Sequence, residues 1–288
     1  MIKNFLNISD LTLDQLKYLI HSSTNEKSLN GKNIGLIFEK YSTRTRLSFN
    51  VGITQLQGNA IDIRLDELNI SRDESFEDTF RAMSCYLDGL VFRTTSHQRL
   101  INAAKFFQKP VINALSDLSH PCQIVSDLYT LNEHFKSLNL NILWIGDMNN
   151  VCFSLVEAVK LISSINLYIC SSSKIINENC WSTSNNIFIT DNISSINLSE
   201  INCVMTDVFI SMNDISDEKK VNDLKSFIVD KELMEKTHRN SVFMHCLPAK
   251  IGFEVSEDVI KGPKSIVWRQ AYNRMVAQKK ILQLIDFN

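Results

Sequence analysis

Apolar positions along the chain fall either in short unbroken runs or in longer stretches with helical spacing. Residues 34–38 form such a run and read as a buried strand, and 47–56 carry a helical pattern that ends near Gly58. Upstream, Ser9-Asp10 reads as a helix cap, with Leu13, Leu16 and Ile20 on one face of the helix behind it. Residues 60–65 alternate like a strand, and 74–87 are helical with Phe76, Phe80 and Met83 on a core stripe. Two more buried strands follow at 89–93 and 110–115, then a helix at 124–135. The pattern breaks at 136–141 and a second alternation begins, with strands expected at 141–147, 165–170, 187–191, 203–208, 241–246 and 265–268, and a polar, irregular stretch at 170–186. A last helix at 271–285 mixes apolar and basic residues and is expected to pack back on the first domain. Strands alternating with helices imply parallel sheets covered on both faces. The expected fold is therefore α/β, with two doubly wound domains: 1–136 together with 271–288, and 137–270.

Length and composition agree. A chain of 288 residues favours two domains over one, and 44% hydrophobic with 22% charged residues is ordinary for a protein with a sizeable core. A net charge of -2 gives no basic surface for nucleic acid. No run approaches the ~20 apolar residues of a membrane span. Asp10, Asp14 and Lys17 interrupt the apolar pattern of the first twenty residues, as a secretion signal would not. Seven cysteines without CxxC spacing or nearby His partners argue against a structural zinc or a disulfide framework, and fit a reducing, cytoplasmic setting.

In open parallel sheets, ligands bind beyond the carboxyl ends of the strands. At that rim of the first domain fall Arg44, Arg93 and the segment His120-Pro121-Cys122-Gln123. The junction Ser42-Thr43-Arg44-Thr45-Arg46 starts a helix, so it offers unbonded backbone N–H groups, the positive end of a helix dipole, hydroxyls and two guanidiniums. These make an anion site, most simply for phosphate. The plainer alternative is an N-cap followed by two solvated arginines. In the second domain Asp207, Ser211, His245 and Cys246 lie at or just past strand ends. The turn Ile145-Gly146-Asp147-Met148-Asn149-Asn150 has one glycine where a dinucleotide site requires G-x-G-x-x-G, which excludes that reading.

The longer string Phe38-Glu39-Lys40-Tyr41-Ser42-Thr43-Arg44-Thr45-Arg46 resembles the carbamoyl-phosphate motif F-E-x-x-S-T-R-T-R of the aspartate and ornithine carbamoyltransferases. Arg93 and the H-P-x-Q tetrapeptide of His120 and Gln123 match further ligands of that family. Four features resemble its ornithine-using branch: Asn150 in G-D-x-x-N-N, Asp207 to Met212 as D-V-F-I-S-M, the string His245-Cys246-Leu247-Pro248, and Arg274 in N-R. The resemblance implies transfer of the carbamoyl group of carbamoyl phosphate to the side-chain amine of L-ornithine, giving citrulline and phosphate. It implies a first domain that binds carbamoyl phosphate and a second that binds ornithine, with no metal or organic cofactor. Ser42, Thr43, Arg44 and Thr45 would hold the phosphate. Arg93, His120 and Arg274 would hold the carbonyl oxygen, and Gln123 with the backbone carbonyls of Cys246 and Leu247 would take the carbamoyl N–H groups. Asn150, Asp207, Ser211 and Met212 would bind the α-substituents of ornithine, with Cys246 beside the reacting amine; the plainer reading of Cys246 is a small buried hydrophobe. The catalytic set is then Arg93, His120, Asp207 and Cys246. The family also implies a homotrimer with the site near a subunit boundary. Asn213 and Tyr272 depart from the family pattern. They leave open another acceptor amine, such as putrescine or a modified ornithine, or a catalytically silent anion-binding paralogue.

Overall fold

The apolar runs become parallel strands and the stretches between them become helices. The computed structural model describes residues 1–21, 28–72, 74–179, 181, 184–210 and 218–287. The chain divides into two units: Met1–Tyr129 with Tyr272–Asn288, and Thr130–Ala271.

The first unit runs α1 (Leu13–His21), β1 (Asn33–Phe38), α2 (Thr43–Gln55), β2 (Asn59–Ile63), α3 (Phe76–Ser84), β3 (Gly89–Arg93), α4 (His97–Phe106), β4 (Val111–Leu115) and the start of α5 (Pro121–Phe135). Its four strands are all parallel, in the order β2-β1-β3-β4. The inner strands are buried almost throughout, as their unbroken apolar runs require, and edge strand β2 is largely open to solvent. Ile37, Phe80, Leu90, Phe92, Leu100 and Phe107 form a core against which Phe76 and Met83 pack. The chain enters α1 differently from the sequence expectation. Ser9-Asp10 lies in a 3-10 turn, where Asp10 Oδ2 accepts from the Leu6 and Asn7 N–H groups. Thr12, directly before the helix, caps it instead: its Oγ1 accepts from Gln15 N, and Gln15 Oε1 accepts from Thr12 N.

The second unit takes the rest of α5, then β5 (Leu140–Ile145), α6 (Asn150–Leu161), β6 (Ile165–Cys170), α7 (Ser173–Asn179), β7 (Ile187–Thr190), β8 (Cys203–Thr206), α8 (Glu218–Leu224), α9 (Lys231–Lys236), β9 (Val242–His245), α10 (Glu257–Ile260) and the start of α11 (Val267–Leu284). Its sheet, again all parallel, has the order β7-β6-β5-β8-β9. Two sequence expectations fail here. The polar stretch after β6 holds α7, anchored by buried Ile175 and by Ser172 Oγ, which accepts from Ile175 N. The expected strand at 265–268 is a single bridge from Ser265 to Phe243, because Val267 already begins α11.

From Tyr272 onward the chain belongs to the first unit. There Lys280 Nζ donates to Leu19 O, Ile285 bridges Ile2, and Lys32 Nζ donates to Phe287 O. The Phe287 ring lies where a side chain on Gly89 would stand, so β3 must begin with glycine. Among the described residues no helix is long and apolar enough to cross a membrane.

Candidate functional site

In each sheet the chain order reverses beside a central strand, between β1 and β3 and between β5 and β8, and the carboxyl ends of these strands carry the candidate residues. In the first unit Ser42 is the N-cap of α2, but its side chain makes no capping hydrogen bond, so the first N–H groups of the helix stay available to a ligand. Ser42 and Arg44 are half-buried, Thr43 is exposed and Thr45 is buried. Arg44 makes no ion pair among the described residues. The second expected guanidinium turns elsewhere: Arg46 Nη1 bonds Asp62 Oδ1 at 2.7 Å and its charge lies over the Phe38 ring, tying α2 to the sheet.

Glu39 joins the ends of β1 and β3. Its Oε2 accepts from Thr94 Oγ1 at 2.7 Å and Thr95 N at 2.8 Å, and its Oε1 lies 3.1 Å from Arg99. Its N–H bonds Arg93 O, so the Ser-Thr-Arg turn and buried Arg93 are held in one frame. From α11, Arg274 donates to Gln123 Oε1 at 2.7 Å and to Thr45 Oγ1; all three side chains are buried. His120 opens α5 nearby. Burial, reinforced by the Arg274 and Arg93 guanidiniums, pushes its pKa well below the ordinary 6.5, so the imidazole is neutral and carries one N–H donor. Thr45, Arg93, His120, Gln123 and Arg274 are thus brought together in a buried cluster whose two guanidiniums carry the charge and whose histidine adds none.

In the second unit, Gly146 ends β5 with φ 113°, and a side chain there would meet the Phe209 ring at 2.9 Å. The turn delivers Asn149, which sequence reasoning passed over in favour of Asn150. Asn149 caps α6, its Oδ1 accepting from Val151 N and Cys152 N, while its Nδ2 donates to Asp207 Oδ2 at 2.8 Å. Asn150, half-buried, is the first residue of α6. Cys246 Sγ donates to Asp207 Oδ1 at 3.1 Å. Leu247 adopts φ 59°, held by its N–H on His245 Nδ1 at 2.9 Å. His245 Nε2 lies 3.2 Å from Glu254 Oε1, which also accepts from Lys250 N. Donor atoms of Asp207, His245 and Cys246 come within 4.8 Å of one another, but these hydrogen bonds occupy them. Ser211, Met212 and Asn213 lie outside the described residues.

Two family models match the chain: the carbamoyl-phosphate-binding domain of aspartate/ornithine carbamoyltransferase over residues 3–133, and its aspartate/ornithine-binding domain over residues 138–285. The ornithine carbamoyltransferase of Rhizobium johnstonii is 38% identical over 295 residues, covering 97% of each chain. The solved ornithine carbamoyltransferase of Pyrococcus furiosus superposes with a TM-score of 0.86 at 32% identity, over 98% of this chain and 96% of that one. The anabolic ornithine carbamoyltransferase of Campylobacter jejuni gives a TM-score of 0.87 at 29% identity, over 98% of each.

Proposed function

The chain belongs to the aspartate/ornithine carbamoyltransferase family, and we propose that it carbamoylates the side-chain amine of L-ornithine, giving citrulline and phosphate, a step of arginine biosynthesis. Residues 1–136 with 271–288 bind carbamoyl phosphate in this reading, and 137–270 bind ornithine. Ser42, Thr43, Arg44 and Thr45 take the phosphate at the α2 terminus. Arg93, Arg274 and neutral His120 donate to the carbamoyl oxygen, where charge grows as the amine attacks; donors fixed beforehand at that point are the main source of rate. Gln123, with the Cys246 and Leu247 carbonyls, accepts the carbamoyl N–H groups. The C–N bond forms as the C–O bond to phosphate breaks, and the amine proton leaves with the help of the Asp207–Cys246 pair.

Asp207, buried and held by Asn149 and Cys246, suits the α-ammonium of an amino acid. The observation that supports ornithine as the acceptor is the near full-length likeness to relatives named ornithine carbamoyltransferase, at 38% identity for that of Rhizobium johnstonii. The same reading assigns a cytoplasmic homotrimer, which sedimentation of the purified protein tests. Purified protein is assayed for citrulline with ornithine, putrescine and aspartate at saturating carbamoyl phosphate. Product from ornithine alone is expected. Turnover of putrescine in preference would move the assignment to another amine, and no turnover with any would leave an anion-binding paralogue.

A further inference from the structure

Gln123 and Asp127 stand one turn apart on α5, on the same helix face, and both side chains are buried. Gln123 Nε2 donates to Asp127 Oδ1 at 2.8 Å, while its Oε1 accepts from Arg274 Nη1 at 2.7 Å. A guanidinium only donates, so the end of the Gln123 amide beside Arg274 must be its oxygen and the end beside Asp127 its nitrogen.

Carbamoyl phosphate poses the same choice to the protein. Its NH2 and C=O ends are nearly equal in size, and attack is assisted only when the oxygen faces the cationic donors. We infer that Asp127 is a positioning residue. By holding Gln123 Nε2 it keeps Gln123 Oε1 turned to the donor substrate, where that oxygen accepts the carbamoyl N–H and sets which end of the group meets Arg93, His120 and Arg274. The inference rests on the donor-binding reading above and adds what fixes the orientation of the bound donor. Arg274 has N–H groups beyond the one it gives Gln123, and Asp127 holds the nitrogen end of the amide whichever of them meets the substrate.

The full chain is titrated calorimetrically with three probes: phosphonoacetamide, which keeps the carbamoyl NH2; 2-oxopropylphosphonate, in which a methyl replaces it; and inorganic phosphate. Wild type is expected to favour the amide over the methyl analogue about tenfold or more, the usual effect of one buried polar group matched or left unmatched. Asp127→Asn is isosteric, but its own amide can present either an N–H or a C=O to Gln123. It is expected to weaken phosphonoacetamide about tenfold, leaving the methyl analogue and phosphate within about twofold. Equal weakening of all three probes would make Asp127 merely structural and overturn the inference, as would unchanged phosphonoacetamide affinity. If the variant does not fold, wild type decides alone: an amide-to-methyl ratio near one overturns the inference. Failure of wild type to bind any probe would overturn the donor-binding reading itself, a result distinct from binding without preference.

Discussion

In the proposed reading Arg44 and His120 serve the same ligand under opposite electrostatic conditions. Arg44 is half-buried at a helix terminus, charged and without an ion pair among the described residues. Removing it opens no core cavity, so Arg44→Ala is expected to abolish phosphate binding by calorimetry while changing stability by no more than about 0.5 kcal/mol in denaturant unfolding. Unfolding of that variant at room temperature would make the residue structural. His120 is buried and neutral because desolvation and two guanidiniums oppose its protonation. Its folded pKa lies below the unfolded value near 6.5, so between the two the unfolded chain binds the proton and the folded one does not. The stability linked to this group is complete above pH 6.5 and drains as pH falls below it. Urea unfolding at pH 7.5 and pH 5 is expected to show His120→Gln losing less stability than wild type on acidification; equal losses would mean burial does not hold this ring neutral.

At the scale of elements, one side chain joins a helix cap to a site. Asn149 satisfies the start of α6 and holds Asp207 from the neighbouring strand's end. Asn149→Ala is expected to cost about 1–2 kcal/mol, the loss of a cap. Asn149→Asp keeps a capping acceptor but sets a second carboxylate against Asp207, so it is expected to retain most of the stability while losing ornithine binding; thermal unfolding and titration with norvaline read the two effects separately. The sequence made the strands plain, because buried parallel strands read as unbroken apolar runs and the exposed edge strand β2 as an alternation, and the four first-unit strands fell within two residues of expectation. It also pointed to Arg93, His120, Gln123 and Asp207 through the strand-end rule. Asn149 was hidden because its partner is 58 residues away and becomes a neighbour only once β5 pairs with β8. Arg46 follows Arg44 by two positions, about 200° around a helix, and its guanidinium goes to Asp62 of β2 and over the Phe38 ring. The expected strand at 265–268 failed because a short apolar run does not distinguish a strand from the first turn of a helix.

At the scale of the molecule, the first unit is assembled from both ends of the chain. Its last segment buries Ala277, Ile281, Leu282, Ile285 and Phe287 and supplies Arg274. Losing several such side chains at about 2–5 kcal/mol each exceeds the whole stability of an ordinary domain, about 5–15 kcal/mol. A chain cut after Ala271 is therefore expected to lose hydrogen-exchange protection in β1 and β3 while β5 and β8 keep theirs; retained protection in β1 would refute this. During synthesis the ribosome completes every residue of the second unit before it adds the segment that finishes the first. A nascent chain that has not reached α11 lacks the guanidinium that α11 brings to Gln123 and Thr45, so the second unit can be complete while the proposed carbamoyl grip is still missing a member.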